Sequence, residues 1–187
     1  MEITKDFLER ARTVSVLKQD KTLSISLIEL PNGKQYILKQ FEPILEQQAR
    51  TEYLFLQTIS AEHVIKPIGF LVIDKPNLVT EYLKGEPLSI HAFSNIQEAE
   101  ICLADLCLTV ASIHALGICL NDIKPDNIIV KNNAAYIIDL GLATMNLMFE
   151  REMRGTIAFA APEKILRLTN HLAGDVFALG MLWFYQE

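Results

Sequence analysis

Along residues 23–27, "LSISL", apolar residues alternate with serine, a period of two that predicts a strand with one face turned inward. The turn signal "LPNG" follows and then "QYILKQF", so the two runs predict a β-hairpin. The period then lengthens. In "EPILEQQARTEYLFLQTI", residues 42–59, Leu45, Ala49, Leu56 and Ile59 recur at helical spacing and predict a helix of about five turns. "VIKPIGFLVI" and "NLVTEYL" predict two further strands around the turn "DKPN".

Past residues 84–87 the pattern becomes helical. Residues 96–116 are the long apolar helical element, and the most apolar run, residues 101–120, is interrupted by Asp105 and His114 and meets a helix stop at Gly117, which predicts a helix buried in protein rather than a membrane span. Short strands are expected around "NIIV" and "AYIID". With no repeat and no Ser/Gly-rich linker, the simplest architecture is two lobes joined by a short connector, an α+β chain whose first lobe is mostly sheet.

Composition narrows the partners. A net charge of -6 gives no basic field for a phosphate backbone, so nucleic acid is not expected as a main partner. The three cysteines, Cys102, Cys107 and Cys119, lie in apolar surroundings without metal-type spacing and are expected as reduced, buried thiols. The charged N-terminus "MEITKDFLERARTVSV" has no apolar h-region, so no signal peptide and a cytoplasmic location are expected.

Chemistry concentrates in "LNDIKPDNIIV", residues 120–130. Phosphoryl transfer needs little covalent help from a protein and mostly requires positioning and positive charge around the phosphates. An acid must accept or orient the hydroxyl proton, and a lysine must steady the moving phosphate. An asparagine and a second acid must hold Mg²⁺ through hard oxygens. Asp122, Lys124 and Asn127 stand at the offsets for the first three roles, and Asp139 in "IIDLGLA", at a strand end, supplies the fourth.

These residues resemble the eukaryotic-type protein kinase family, and the resemblance extends over most of the chain. "NDIKPDN" is similar to the catalytic loop, Asp139-Leu140-Gly141 to the magnesium-binding Asp-Phe-Gly, and "GTIAFAAPE" to the end of an activation segment, with Ala161-Pro162-Glu163 matching in full. "YILK" stands where the family has Val-Ala-x-Lys, which implies Lys39 as the α/β-phosphate lysine and Glu52 as its ion-pair partner, with Glu46 as the alternative. "LVTEYL" resembles the strand leading into the hinge, with Thr80 at its gate and the backbone of Glu81 and Leu83 offered to adenine. Ile37 and Ile129 join this nucleotide-binding set. "GDVFALGMLWF" looks like the start of the central helix of the large lobe, where Asp175 would brace the catalytic loop, and Thr156 is expected to hydrogen-bond near Asp122 and Lys124.

The resemblance implies a two-lobed kinase-like fold in a single domain over residues 1–187, divided at residues 83 and 84: an antiparallel-sheet N-lobe with one helix, and a truncated, mostly helical C-lobe. It implies transfer of the γ-phosphate of ATP, with Mg²⁺ or Mn²⁺, to Ser/Thr hydroxyls of a protein substrate.

Several positions depart from the family pattern. No glycine precedes Gly33, so the expected loop "VLKQDKTLS" is not the usual Gly-x-Gly-x-x-Gly cover of the phosphates. Ile37 replaces the alanine set over the adenine ring, and Leu120-Asn121 replaces His-Arg before the catalytic acid. Without that arginine the loop offers no cationic partner for a phosphate on the activation segment, so activity independent of such phosphorylation is expected. Leu56, Leu120 and Leu140 would preserve an aliphatic form of the internal spine. The sequence given stops at "MLWFYQE", inside the expected central helix, which leaves Met181, Leu182, Trp183 and Phe184 short of cover. That suggests either a fragment or a reduced lobe covered by a protein partner, as in the small secreted effector kinases of bacteria that it resembles. Two other readings stay open: a pseudokinase acting as a protein-binding module, and a small-molecule kinase, against which Ala161-Pro162-Glu163 speaks.

Overall fold

The computed structural model describes residues 3–146, 155–166 and 172–185. Residues 147–154, part of the expected activation segment, lie outside them. Two units emerge: Met1–Thr58 with Ile65–Leu83, and Ile59–Val64 with Lys84–Glu187.

The first unit is built on five antiparallel strands, β1 Arg12–Gln19, β2 Leu23–Glu29, β3 Gln35–Phe41, β4 Pro67–Val72 and β5 Pro76–Glu81, in the order β1-β2-β3-β5-β4. The alternation seen in "LSISL" sets β2, and its pairing with β3 runs from Leu23 opposite Phe41 to Glu29 opposite Gln35. Gly33, at φ +79, and the Asn32 side chain, which accepts from Lys34 N–H, close that hairpin. The helix predicted over 42–59 begins as a single 3₁₀ turn at Pro43–Leu45 and continues as α2, Glu46–Thr58, with Ala49, Glu52 and Leu56 buried.

Two elements here were not anticipated. A short helix, α1 Lys5–Arg10, is capped by the Thr4 hydroxyl, which accepts from Phe7 N–H at 3.2 Å. Its Phe7 meets Tyr36 edge-on at 5.5 Å in a core with Ile3, Ile28 and Val79. The stretch "VLKQDKTLS", expected as a loop, is mostly strand: β1 ends at Gln19, β2 begins at Leu23, and only the tight turn between them is irregular. Every residue of β1 is exposed and its register shifts twice against β2, so the short alternation Val14-Ser15-Val16 has no buried face behind it.

In the second unit α3, Ile96–His114, is capped by Asn95, whose side chain accepts from Glu98 N–H at 2.9 Å. Ala99, Cys102, Leu103, Leu106, Val110 and Ile113 form its buried face. Gly117, at φ +73, ends the turn that follows the helix, with its N–H donated to His114 O. No helix among the described residues is long and apolar enough to cross a membrane. Strands β6 Glu86–Pro87, β8 Ile128–Lys131 and β9 Ala134–Ile137 make a small sheet, and β7 Ile118–Cys119 pairs with β10 Thr144–Met145. Asn132 and Asn133, at φ 52 and 60, form the two-residue turn between β8 and β9. Helices α4, Pro162–Ile165, and α5, Leu172–Tyr185, complete the unit.

The cysteines correct one expectation. Cys102 and Cys119 are buried, and burial together with the nearby Asp105 carboxylate pushes the Cys102 thiol up to about 11. Cys107, five positions after Cys102 on α3, points to the opposite, exposed side.

Candidate active site

Lys39 lies on β3, a strand flanked on both sides, with Ile25 and Leu78 as its cross-strand neighbours. Its Nζ reaches Glu52 Oε1 of α2 at 2.6 Å, and the two residues are 4% and 2% exposed. Removing two charges from water costs several kcal/mol each, and close pairing offsets much of that cost. Glu46 points elsewhere: its carboxylate is 2.7 Å from the Arg50 guanidinium on the helix surface. Ile37, half-buried, sits two residues before Lys39 and opposite Thr80, which is buried. Glu81 is anchored to Lys66 twice, N–H to Lys66 O at 3.0 Å and Oε1 from Lys66 N–H at 2.8 Å, and Leu83 follows in irregular chain.

Within the second unit the polar residues of "NDIKPDN" fold onto Asp122. Its Oδ1 accepts from the backbone N–H and the hydroxyl of Thr156, both at 2.8 Å. Its Oδ2 accepts from Asn127 Nδ2 at 3.0 Å and lies 2.8 Å from Lys124 Nζ. Lys124 Nζ also donates to Thr156 Oγ1 at 2.9 Å. Asn127 donates a second bond to Asp122 O, so its Nδ2 is committed and its Oδ1 lies outside these bonds. Pairing of β8 with β9 brings in Asp139: Ile138 N–H donates to Asn127 O at 3.0 Å, and Asp139 Oδ1 accepts from Gly141 N–H at 2.9 Å. Asp122, Asn127 and Asp139 line one small crevice with Leu106 and Leu120. Ile129, half-buried, stands on β8 opposite Tyr136.

Beneath this cluster lies Asp175 of α5, 2% exposed. Its Oδ2 accepts from Leu120 N–H at 2.7 Å and from His114 Nε2 at 2.9 Å, and its Oδ1 accepts from Asn121 N–H at 2.8 Å. A carboxylate only accepts, so Nε2 is the protonated nitrogen of His114. The bracing implied for Asp175 is therefore built from three donors, two of them backbone groups immediately before Asp122.

Residues 25–186 match the protein kinase domain model. The chain belongs to the protein kinase family. It is 29% identical to ribosomal protein S6 kinase alpha-4 of Homo sapiens over 171 residues, which is 81% of this chain and 22% of that protein. It is 29% identical to the serine/threonine-protein kinase SSN3 of Mycosarcoma maydis over 192 residues, 88% of this chain and 27% of that one. To the serine/threonine-protein kinase ppk6 of Schizosaccharomyces pombe it is 34% identical over 145 residues, 70% of this chain and 18% of the other. This kinase chain thus spans roughly a quarter or less of the length of these relatives. A crystal structure of a kinase domain has the same fold, with a TM-score of 0.83 at 18% identity over 95% of this chain and 64% of that one.

Two side chains around Asn121 and Asp122 escaped the sequence reading. His114 was seen only as a polar interruption of an apolar helix, because its partner Asp175 lies far along the chain. Lys164, next after Ala161-Pro162-Glu163, is buried, and its Nζ donates to Asn121 O at 2.6 Å and reaches Asn121 Oδ1 at 3.3 Å. No spacing or motif marks it, since a lysine in a short helix ordinarily faces solvent. At the far end of α5, Leu182 is buried while Phe184 is 70% exposed.

Proposed function

We propose that this kinase transfers the γ-phosphate of ATP to serine and threonine hydroxyls of protein substrates, and does so without phosphorylation of its activation segment. The observation that carries the reading is the convergence on Asp122, where Thr156, Asn127 and Lys124 all reach the carboxylate, and independence from phosphorylation is supported by Asn121 standing where the family has an arginine to receive a phosphate. In the reaction the substrate hydroxyl oxygen forms a bond to the γ-phosphorus, the bond to the β-phosphate oxygen breaks, ADP leaves, and the hydroxyl proton passes to Asp122. Lys124 meets the charge on the transferring phosphate. Lys39, held upright by Glu52, serves the α- and β-phosphates, and Ile37, Ile129 and the backbone of Glu81 and Leu83 serve the adenine. The contact from Lys124 to Thr156 supports serine and threonine as acceptors.

Asn127 and Asp139 fit a divalent ion such as Mg²⁺ or Mn²⁺: both offer hard oxygens, and both line the crevice that holds Asp122. Bound there, the ion would neutralise charge on the phosphates. The Gly141 N–H fixes the orientation of Asp139, and the bonds from Asn127 Nδ2 to Asp122 leave its Oδ1 as the ligand atom.

The test is transfer of radiolabelled phosphate from ATP, with Mg²⁺ and with Mn²⁺, to a generic basic protein. Phosphatase-treated wild type is compared with Asp122→Asn and Asp139→Ala. Label from wild type alone is the expected result. Silence from folded wild type, or label only after Thr144 or Thr156 is phosphorylated, would refute this proposal in whole or in its last part.

A second reading, a pseudokinase that binds a protein, is favoured by one observation. The β1–β2 turn is tied down by the Asp20 side chain, and every residue in it carries a Cβ where the family approaches phosphate with glycines. The exposed Phe184 is where a protein partner is proposed to dock in that case. Calorimetry that detects no binding of Mg²⁺-ATP would select this reading.

A further inference from the structure

Asn121, the residue before Asp122, is held in an unusual way. Its φ is +67, a left-handed conformation that asparagine tolerates better than most side chains but that still needs support. Its N–H is donated to Asp175, and its side-chain amide donates to Leu142 O and Thr144 Oγ1, both at 2.9 Å. Its carbonyl oxygen takes the Lys164 ammonium at 2.6 Å, and Oδ1 of the same residue lies 3.3 Å from that nitrogen. Gly155 makes the approach possible. At φ +99 it backs onto the Asn121 carbonyl so closely that a Cβ there would collide with the oxygen.

The carbonyl of Asn121 shares one planar peptide unit with the N–H of Asp122. Whatever fixes the direction of that carbonyl also fixes the plane from which the Asp122 side chain departs. Lys164 is buried, and a buried ammonium is tolerated only where it finds acceptors, so its contact with Asn121 is a built feature of the site. The acid of Asp175 and the cation of Lys164 thus hold Asn121 at its N–H and at its carbonyl.

We infer that Lys164 is a positioning residue for phosphoryl transfer: by gripping the Asn121 carbonyl it orients the peptide that carries Asp122, and it ties the segment after Ala161-Pro162-Glu163 to the catalytic loop through a fixed charge in place of a phosphate. The inference rests on the kinase reading above and assigns a role to a side chain that touches neither nucleotide nor acceptor.

The experiment compares the full chain with Lys164→Met and Lys164→Arg, reading kcat, KM for ATP, and hydrogen exchange of the Leu120 and Asn121 amides, whose donors go to Asp175. Lys164→Met is expected to lower kcat by about 10- to 100-fold with KM for ATP within about twofold. Exchange at Leu120 and Asn121 should speed up about tenfold or more while the α3 amides stay protected. Lys164→Arg, which keeps the charge, should recover most of kcat. Unchanged kcat and protection in Lys164→Met, or deprotection spread evenly through α3, would overturn the role. Should Lys164→Met fail to fold, Gly155→Ala presses on the same carbonyl and must deprotect the same two amides; a loss of kcat without that deprotection also counts against the inference. A silent wild type would refute the kinase reading alone, and the exchange data would still decide whether Lys164 orders the peptide before Asp122.

Discussion

The two units hold their charged groups by different means. In the first, Lys39 and Glu52 are carried by a central strand and a helix, and their contact of 2.6 Å is buried. In the second, Asp122 sits on an irregular loop and collects donors from Thr156, Asn127 and Lys124, while Asp175 grips the two amides just before it. Regular structure can place a charge by packing alone. A loop must be fixed bond by bond, which is why its supports come from distant parts of the chain. The first arrangement is therefore sensitive to loss of a partner, and the second to loss of direction.

Chemistry breaks the contrast most sharply. Asp122→Asn changes the side-chain volume little and removes the proposed proton acceptor, so phosphate transfer is expected to fall about 10²- to 10⁴-fold with a much smaller effect on the melting temperature, as measured by labelled transfer and calorimetry. Lys39→Met does the reverse to the first unit. It removes the cation from a buried ion pair, and chemical denaturation should show a loss of up to about 3–5 kcal/mol, part of it recovered in Lys39→Met with Glu52→Leu. Failure of the double variant to recover would mean that Glu52 has further partners of equal weight. Gly33→Ala is a smaller probe. Nothing crowds the new methyl, so the left-handed φ alone should cost about 1 kcal/mol by denaturant unfolding.

The smallest expected effect lies in the β1–β2 turn. The Thr22 N–H, then its hydroxyl, then the Leu23 N–H hold the Asp20 carboxyl below its ordinary value of 3.8. A depressed acid contributes stability that is fully present above its unfolded value and is lost as the pH falls through the folded one, so the turn should loosen only under acid, starting below about pH 4. NMR titration of the Thr22 and Leu23 amides would show it, and Asp20→Ala should abolish the response. A turn that stays closed at low pH in both proteins would show that strand pairing, not Asp20, holds it.

Much of this was legible in the sequence because periodicity and short motifs record local constraints. The β2–β3 hairpin, α2, α3 and the separate strands β8 and β9 follow from apolar spacing and turn residues, and the polar residues of "NDIKPDN" lie close enough in sequence to be read as one cluster. What stayed hidden depends on distance or exposure. β1 has no buried face to give it a pattern, and Cys107 shares an apolar helix with Cys102 but turns away from its core. Asn121 was legible only as a missing arginine. Its grip by Lys164 requires Gly155 and α4 to arrive beside the loop, which no local pattern announces.

Residues 59–64 have a consequence for how this chain is made. They lie between two stretches of the first unit, yet they belong with the second, where Ile137 N–H donates to His63 O and Val64 pairs in parallel with Ile137. During synthesis the strands of the first unit can leave the ribosome and close their sheet early, but Ile59 and Val64 must wait for the second unit, Val64 at least until β9 has followed. For that interval a nascent chain carries two uncovered apolar side chains, Ile59 and Val64, in the middle of an otherwise finished sheet unit, a foothold for a chaperone.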